Sequence, residues 1–341
     1  MNNLNPTQKL NPKIFKIDVE RVSLRQGFGE GLLEAARADK RVVALCADLL
    51  NSTRLDLFQK EFPERLVEVG IAEQNLVGVA AGMAVLGKVP FAVSYAIFSP
   101  GRNWEQIRTM ICYNDTNVKI VGSHAGVSVG PDGGSHQALE DIALMRVLPR
   151  MTVVAPADSL EAKEATRALA KWVGPAYLRL SREATPIMTT DESPFMIGKA
   201  NVWRRPEKTK VAIIGCGPIL YQAMEAAKEL AEEGIEVSVT NLHTIKPLDG
   251  QTIAELAQEA GAVVTVEEHQ RQGGMGSAVA EFLAEHYPVP LEFVGVDNQF
   301  GQSGRPEELL RHYGLGVGTI KMAVQHVLQR KLGIKVGNIC N

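Results

Sequence analysis

Cysteine is scarce and unpaired in this sequence: Cys46, Cys112, Cys216 and Cys340 stand far apart, with no Cys-X-X-Cys spacing. That pattern excludes the usual zinc and dithiol redox arrangements and reads as buried, reduced thiols in a reducing compartment. Positive charge is not in excess either. A formal net charge of −3 argues against broad nucleic-acid binding, which needs a basic face. Any cationic groups are then expected in one small-molecule pocket. No uninterrupted apolar run is long enough to span a bilayer. Residues 1–19 are polar and lack the apolar core of a secretory signal, so the expected location is cytoplasmic, with no membrane contact. Repeats and low-complexity tracts are absent as well. What is there is ordinary soluble composition, 45% hydrophobic and 22% charged over 341 residues, enough chain for two α/β domains.

Strand-like and helix-like runs alternate throughout, the pattern of a mostly parallel sheet covered by helices. In the first half, strands are expected near Val42–Cys46, Leu66–Val69, Pro90–Ser94, Val118–Gly122, Thr152–Ala155 and Tyr177–Leu180. Helices are expected at about Leu24–Ala38, Ala72–Leu86, Asn103–Tyr113 and Ser159–Trp172. The apolar runs are short and continuous rather than alternating, as strands buried on both faces require. Prolines, threonines and clustered charges between Glu183 and Lys208 read as a linker with one short strand. Strands then restart at Val211, Val237, Val263 and Leu291, and a final amphipathic helix covers about Gly318–Gln329. The expected organisation is an N-terminal extension (1–19), a first α/β domain (20–187), a linker (188–204), a second α/β domain (205–332) and a tail (333–341).

Chemistry concentrates in three stretches. In Glu68-Val-Gly-Ile-Ala-Glu73-Gln-Asn75, a strand ends and a helix of small apolar residues begins with a carboxylate in its first turn. Such an acid is either an ordinary partner for the helix dipole or a buried functional group. In Phe91-Ala-Val-Ser-Tyr95-Ala-Ile-Phe98-Ser-Pro-Gly-Arg-Asn-Trp104, a strand delivers aromatics into a loop, which is also what plain core packing would look like. The third is Gly122-Ser-His124-Ala-Gly-Val-Ser-Val-Gly-Pro-Asp132-Gly-Gly-Ser-His136-Gln-Ala-Leu-Glu-Asp141. Its glycines, two histidines and aspartate could hold a metal, a phosphate or a polyol, but ligand spacing for a metal is absent.

These stretches together resemble the transketolases and their thiamine-diphosphate relatives. The run Gly-Ile-Ala-Glu-Gln implies that Glu73 hydrogen-bonds the cofactor's aminopyrimidine ring and promotes the proton transfer that activates the thiazolium carbon. Tyr95 would stack on that ring, Phe98 would wall the pocket, and Asp48 would lie near the pyrimidine. The loop after Phe98 holds one extra residue relative to many relatives. By the same resemblance His124 would meet a sugar phosphate and Asp132 a substrate hydroxyl. His136 would lie beside the transferred carbon, at a position where some relatives carry Gln. Arg25, Ser52 and Arg182, at or beside carboxyl ends of strands where α/β sheets hold ligands, would complete the phosphate site, arginine being suited by its forked donors. The stretches Thr244-Ile-Lys-Pro-Leu-Asp249 and Val266-Glu-Glu-His269 resemble the family's C-terminal domain, in which no catalytic residue is expected.

The resemblance covers only the last two of the family's three domains. Thiamine-diphosphate enzymes hold the diphosphate through a divalent metal on a Gly-Asp-Gly motif, and no Gly-Asp-Gly occurs in this sequence. The expectation is a pyrimidine-binding plus C-terminal subunit that carries no metal itself. Its partner would be a diphosphate-binding transketolase subunit holding Mg2+ or Ca2+, in an α2β2 assembly that residues 1–19 would help to wrap. The implied reaction passes a two-carbon ketol unit from a ketose phosphate to an aldose phosphate, with the sugars of the pentose phosphate pathway as the default pair. Alternatives are another thiamine-diphosphate transfer, resembling deoxyxylulose-phosphate synthase or a 2-ketoacid dehydrogenase β subunit, and a non-catalytic scaffold.

Overall fold

Continuous apolar runs flanked by amphipathic helices build two packed α/β layers. In the computed structural model, which describes residues 3–333, the chain runs through β1 (Arg21–Ser23), α1 (Leu24–Ala38), β2 (Val42–Cys46), α2 (Asp56–Glu61) and β3 (Leu66–Glu68). It continues through α3 (Glu73–Val85), β4 (Val89–Tyr95) and α4 (Trp104–Gln106), which passes directly into a π-helical segment, Ile107–Tyr113. Next come β5 (Lys119–Ser123), α5 (Asp141–Arg146), β6 (Thr152–Val154), α6 (Ser159–Lys171) and β7 (Ala176–Arg179). The second half holds β8 (Ala184–Pro186), β9 (Asn201–Arg204), β10 (Val211–Gly215), α7 (Leu220–Glu232), β11 (Val237–Asn241) and β12 (Thr244–Lys246). It ends with α8 (Gly250–Ala260), β13 (Val263–Gln270), α9 (Met275–His286), β14 (Leu291–Val296), α10 (Pro306–His312) and α11 (Val317–Lys331).

Seven strands form the first sheet in the order β12-β6-β7-β5-β4-β2-β3, and five form the second in the order β14-β13-β10-β11-β9. Each is parallel apart from one antiparallel edge strand, β12 in the first and β9 in the second. The two consecutive α/β domains foreseen from the sequence are therefore present, with mostly parallel sheets. The expected strand bounds shift by a residue or two; the one short strand expected between Glu183 and Lys208 is two, β8 and β9, and the short antiparallel strands β1 and β12 were not foreseen.

The domains are not simply tethered. Strand β12 leaves the second half of the chain to pair with β6, so the first sheet is completed by residues distant in sequence. One apolar cluster joins Leu45, Leu76, Ile120 and Ile142 to Ile214, Leu242, Ile253 and Met275. The segment expected as a linker, 188–204, ends in β9 and buries Trp203 in the second core. Residues 3–19 lie on this chain itself rather than reaching outward. Asn5 N–H donates to the Trp203 carbonyl (2.9 Å), Asn11 N–H donates to the Met188 carbonyl (2.9 Å), and Ile14 is buried beside Trp203. The expected N-terminal extension is thus packed, from residue 3 on, against an edge and a seam of its own fold. Cys46, Cys112 and Cys216 are free and buried, whereas Cys340 and residues 334–341 of the expected tail lie outside the described residues. No helix among the described residues is long and apolar enough to cross a membrane.

Candidate active site

The site forms where β2, β4, β5 and β7 end, because parallel strands point their carboxyl ends and following loops to one edge. At the end of β3, Gly70 takes φ +70 and Glu68 Oε1 accepts the N–H groups of Asp48 and Gly70, both at 2.8 Å. That turn starts α3 with Glu73 as its first residue, and Glu73 is 3% exposed. From the loop after β4, Asn103 Nδ2 donates to the Glu73 carbonyl (2.9 Å) and Arg102 Nη1 to the Glu73 carboxylate Oε2 (3.3 Å). The Glu73 side chain is thus a buried acid with a partner, not a solvated helix-start charge.

Arg102 also lies over the Phe98 ring, 4.3 Å from its centroid. Phe98 stacks on Tyr95 with centroids 6.0 Å apart, and His136 stands edge-on to both, at 5.4 and 6.4 Å. His124 lies flat on Tyr95 at 3.8 Å. Glu73, Arg102, Phe98, Tyr95, His136 and His124 therefore form one continuous wall. His124 sits at φ +59 with Nδ1 2.9 Å from Ser123 Oγ. Burial first, then the charges of Arg25, Arg182 and His136, push its pKa down to about 3, so it is a neutral imidazole at physiological pH.

The cationic end is built by α1 and by the loop after β7. Arg25 Nη1 donates to the Ser52 carbonyl (2.6 Å) and its Nε to the Arg182 carbonyl (3.1 Å). Burial and the neighbouring Arg54 and Arg182 lower the Arg25 pKa, the mark of cations gathered without enough negative charge. Arg182 Nη1 donates to the Val129 carbonyl (2.6 Å) and lies 3.5 Å from Asp132 Oδ2. The structure thus brings Arg25, Ser52, Arg182 and Asp132 into one linked group. Ser52 enters it through its carbonyl rather than its hydroxyl. Asp48, exposed at φ +58 just after β2, is not brought into that group; its backbone N–H goes to Glu68 instead.

Sequence reasoning passed over three residues here. Arg102 and Asn103 sit in the Ser-Pro-Gly-Arg-Asn stretch, and a cation two residues before the next helix and four after an aromatic was the available signal. The third is Glu268 on β13, buried, accepting the Ser128 N–H at 2.7 Å and so fixing the loop that carries His124 and Asp132. Its contribution depends on the docking of the second domain, which no local pattern announces. Among the described residues, no three His, Cys, Asp or Glu side chains gather as a metal site.

The model of the transketolase pyrimidine-binding domain matches residues 20–188, and that of the transketolase C-terminal domain matches residues 198–320. The chain belongs to the transketolase family. Among transketolase relatives, it is 39% identical to a 6-deoxy-6-sulfo-D-fructose transketolase subunit from a Clostridium strain, covering 93% of this chain and 98% of that one. It is also 39% identical to one of the apulose-4-phosphate transketolase subunits of Phocaeicola vulgatus, covering 90% and 98%. Among solved transketolases, a split-gene transketolase described as an inactive β4 tetramer superposes with a TM-score of 0.83 at 44% identity, covering 91% of this chain and 99% of that one. The pyrimidine-binding and C-terminal domains of the transketolase architecture stand together in this chain.

Proposed function

We propose that this chain is the C-terminal subunit of a split, thiamine-diphosphate-dependent transketolase, active only with a separate diphosphate-binding subunit. The reaction is transfer of a two-carbon ketol unit from a ketose phosphate to an aldose phosphate, in the cytoplasm. The observation that carries this reading is the continuous wall from buried Glu73, through Arg102, Phe98, Tyr95 and His136, to His124, with the Arg25 and Arg182 cluster at its far end.

The residues fit the cofactor's heterocycle. A buried carboxylate offers an acceptor, Tyr95 and Phe98 offer flat surfaces, and Asp48 follows the strand beside them. Bound thiamine diphosphate would supply the nucleophilic carbon that takes up and releases the two-carbon unit. Glu73 would hold the aminopyrimidine by a hydrogen bond, while Tyr95 and Phe98 exclude water from its rim. Arg25 and Arg182, with Ser52 and neutral His124, would orient the sugar phosphate through charge-assisted bonds. Asp132 would accept a bond from a substrate hydroxyl, and His136 would stand by the carbon being transferred as a proton-handling group.

The diphosphate and its Mg2+ or Ca2+ would belong to the partner, because this sequence has no Gly-Asp-Gly. An α2β2 assembly brings the two half-sites together, and the inactive β4 form of a relative supports that division of labour. Two relatives are named for different sugars, so the sugar pair is the quantity to assay. Pentose phosphates are the first pair to assay. The chain alone should show no turnover, coexpression with a partner bearing Gly-Asp-Gly should restore it, and Glu73→Gln should abolish it with the melting temperature kept. Turnover by the isolated chain, or by the Glu73→Gln complex, would refute the proposal.

A further inference from the structure

Two arginine–carboxylate pairs in this molecule are built in opposite ways. Arg179 and Asp141 are both buried and doubly bonded, with Nε to Oδ2 at 2.8 Å and Nη2 to Oδ1 at 3.2 Å. Tyr177 Oη adds a 2.8 Å bond to Oδ2, and Arg179 Nη2 also donates to the Glu268 carbonyl. Every acceptor there is used, as a permanent buried pair demands.

The pair Arg102–Glu73 is asymmetric. The Glu73 side chain is 4% exposed and that of Arg102 is 52% exposed. The guanidinium reaches only Oε2, through Nη1 at 3.3 Å. Among the described residues no hydrogen bond reaches Oε1. Arg102 is itself held from two sides: its plane rests on Phe98, and its N–H donates to the Phe98 carbonyl at 2.8 Å. Gly101 beside it allows no side chain, because a Cβ there would stand 1.9 Å from the Ile97 carbonyl oxygen. The loop is therefore packed tightly enough to hold the guanidinium in place. A carboxylate fixed at one oxygen cannot swing about its terminal torsion, which is otherwise broad, so the second oxygen is aimed.

We infer that Arg102 is a positioning residue. It grips Oε2 of Glu73 so that Oε1 is presented to the aminopyrimidine, and it couples that aim to the aromatic wall through Phe98. The inference rests on the proposed function above. It acts through Glu73, so its effect on ligand binding must vanish when Glu73 no longer carries a charge for the guanidinium to hold.

The test is a double-mutant cycle on the reconstituted complex, titrated calorimetrically with thiamine diphosphate in the presence of Mg2+. A hydrogen bond to a charged group is worth enough that Arg102→Met should weaken binding about tenfold or more. Arg102→Lys, which keeps a cation over Phe98, should recover part of that loss. In the Glu73→Gln background, Arg102→Met should change the affinity less than about threefold, and the coupling is the signature a merely structural arginine would not show. Equal losses in both backgrounds, or no loss at all, would overturn the role given to Arg102 and leave the proposed function standing. If the complex with the native chain failed to bind thiamine diphosphate, the proposed function would fall and this inference with it.

Discussion

His124 shows how position decides chemistry for a single side chain. The imidazole is stacked on Tyr95, buried, and surrounded by Arg25, Arg182 and His136. Burial disfavours its charged form and the neighbouring cations repel it, so its pKa lies near 3 rather than at the usual value. A neutral ring can donate from one nitrogen to an anionic ligand while the arginines supply the charge. We predict that NMR titration of His124 shows no protonation step between pH 5 and 8. A midpoint near the ordinary histidine value would mean that the ring is solvated and the wall open. The stability consequence has a definite sign. The unfolded imidazole takes up a proton as pH falls below about 6.5, whereas the folded one resists until about 3. Stability is therefore lost as pH falls through that window, and His124→Gln should flatten the acid side of a melting-temperature profile. Glu73 was singled out in the sequence through the resemblance that Gly-Ile-Ala-Glu-Gln carries, and its burial is what the structure adds. Arg102 was not, because its meaning lies in a through-space contact 29 residues away in sequence.

At the scale of elements, legibility followed burial and locality. The core strands β2, β4, β5, β10 and β13 were readable because each contains a short, mostly apolar run covered on both faces, Val263–Val266 in the case of β13. Strands β1, β8, β9 and β12 have three or four residues each, too few for a period, and their pairings are set by distant partners. The helix expected over Asn103–Tyr113 becomes π-helical from Ile107 onward, a widening common beside functional sites that composition does not encode. The loop after β5 teaches the same lesson. Its glycines were read as part of a loop that could hold a ligand, yet Gly126 is required by the protein itself. It stands at φ +90, and a Cβ there would lie 2.2 Å from Glu268 Oε1. Glu268 cannot move away cheaply, being buried and bonded to the Ser128 N–H. Gly126→Ala should therefore combine backbone strain with a clash, costing about 2 kcal/mol or more in a denaturant-unfolding measurement. If the proposed function holds, it should also raise the KM for a sugar phosphate, because His124 and Asp132 flank the displaced turn. A variant with native stability would show that the loop is not seated on β13 as described.

For the molecule as a whole, the seam between the domains carries a pH dependence of its own. Glu161 of α6 is buried, accepting the Ala157 N–H at 2.6 Å and Asn241 Nδ2, from β11 of the other domain, at 2.7 Å. Asp158 lies beside it and is itself held by the N–H groups of Glu161, Met188 and Thr189 and by the Thr189 hydroxyl. Burial first, then the Asp158 charge, raise the Glu161 pKa to about 8, so near neutral pH this seam holds a largely protonated acid. In the unfolded chain the same group ionises at an ordinary carboxyl value near 4.5. The folded state thus binds the extra proton between about pH 4.5 and 8, and stability falls as pH rises through that window. Glu161→Gln fixes the side chain in its neutral form at the same size. Asn241 Oδ1 is buried without a hydrogen-bond partner, so a flip of that amide would give the new Gln NH2 an acceptor while Oε1 kept the Ala157 N–H. The variant should therefore melt about 1–2 °C above the native chain at pH 9, for roughly 1 kcal/mol recovered, and much less above it at pH 6. Equal melting differences at both pH values would show that Glu161 enters the seam already ionised.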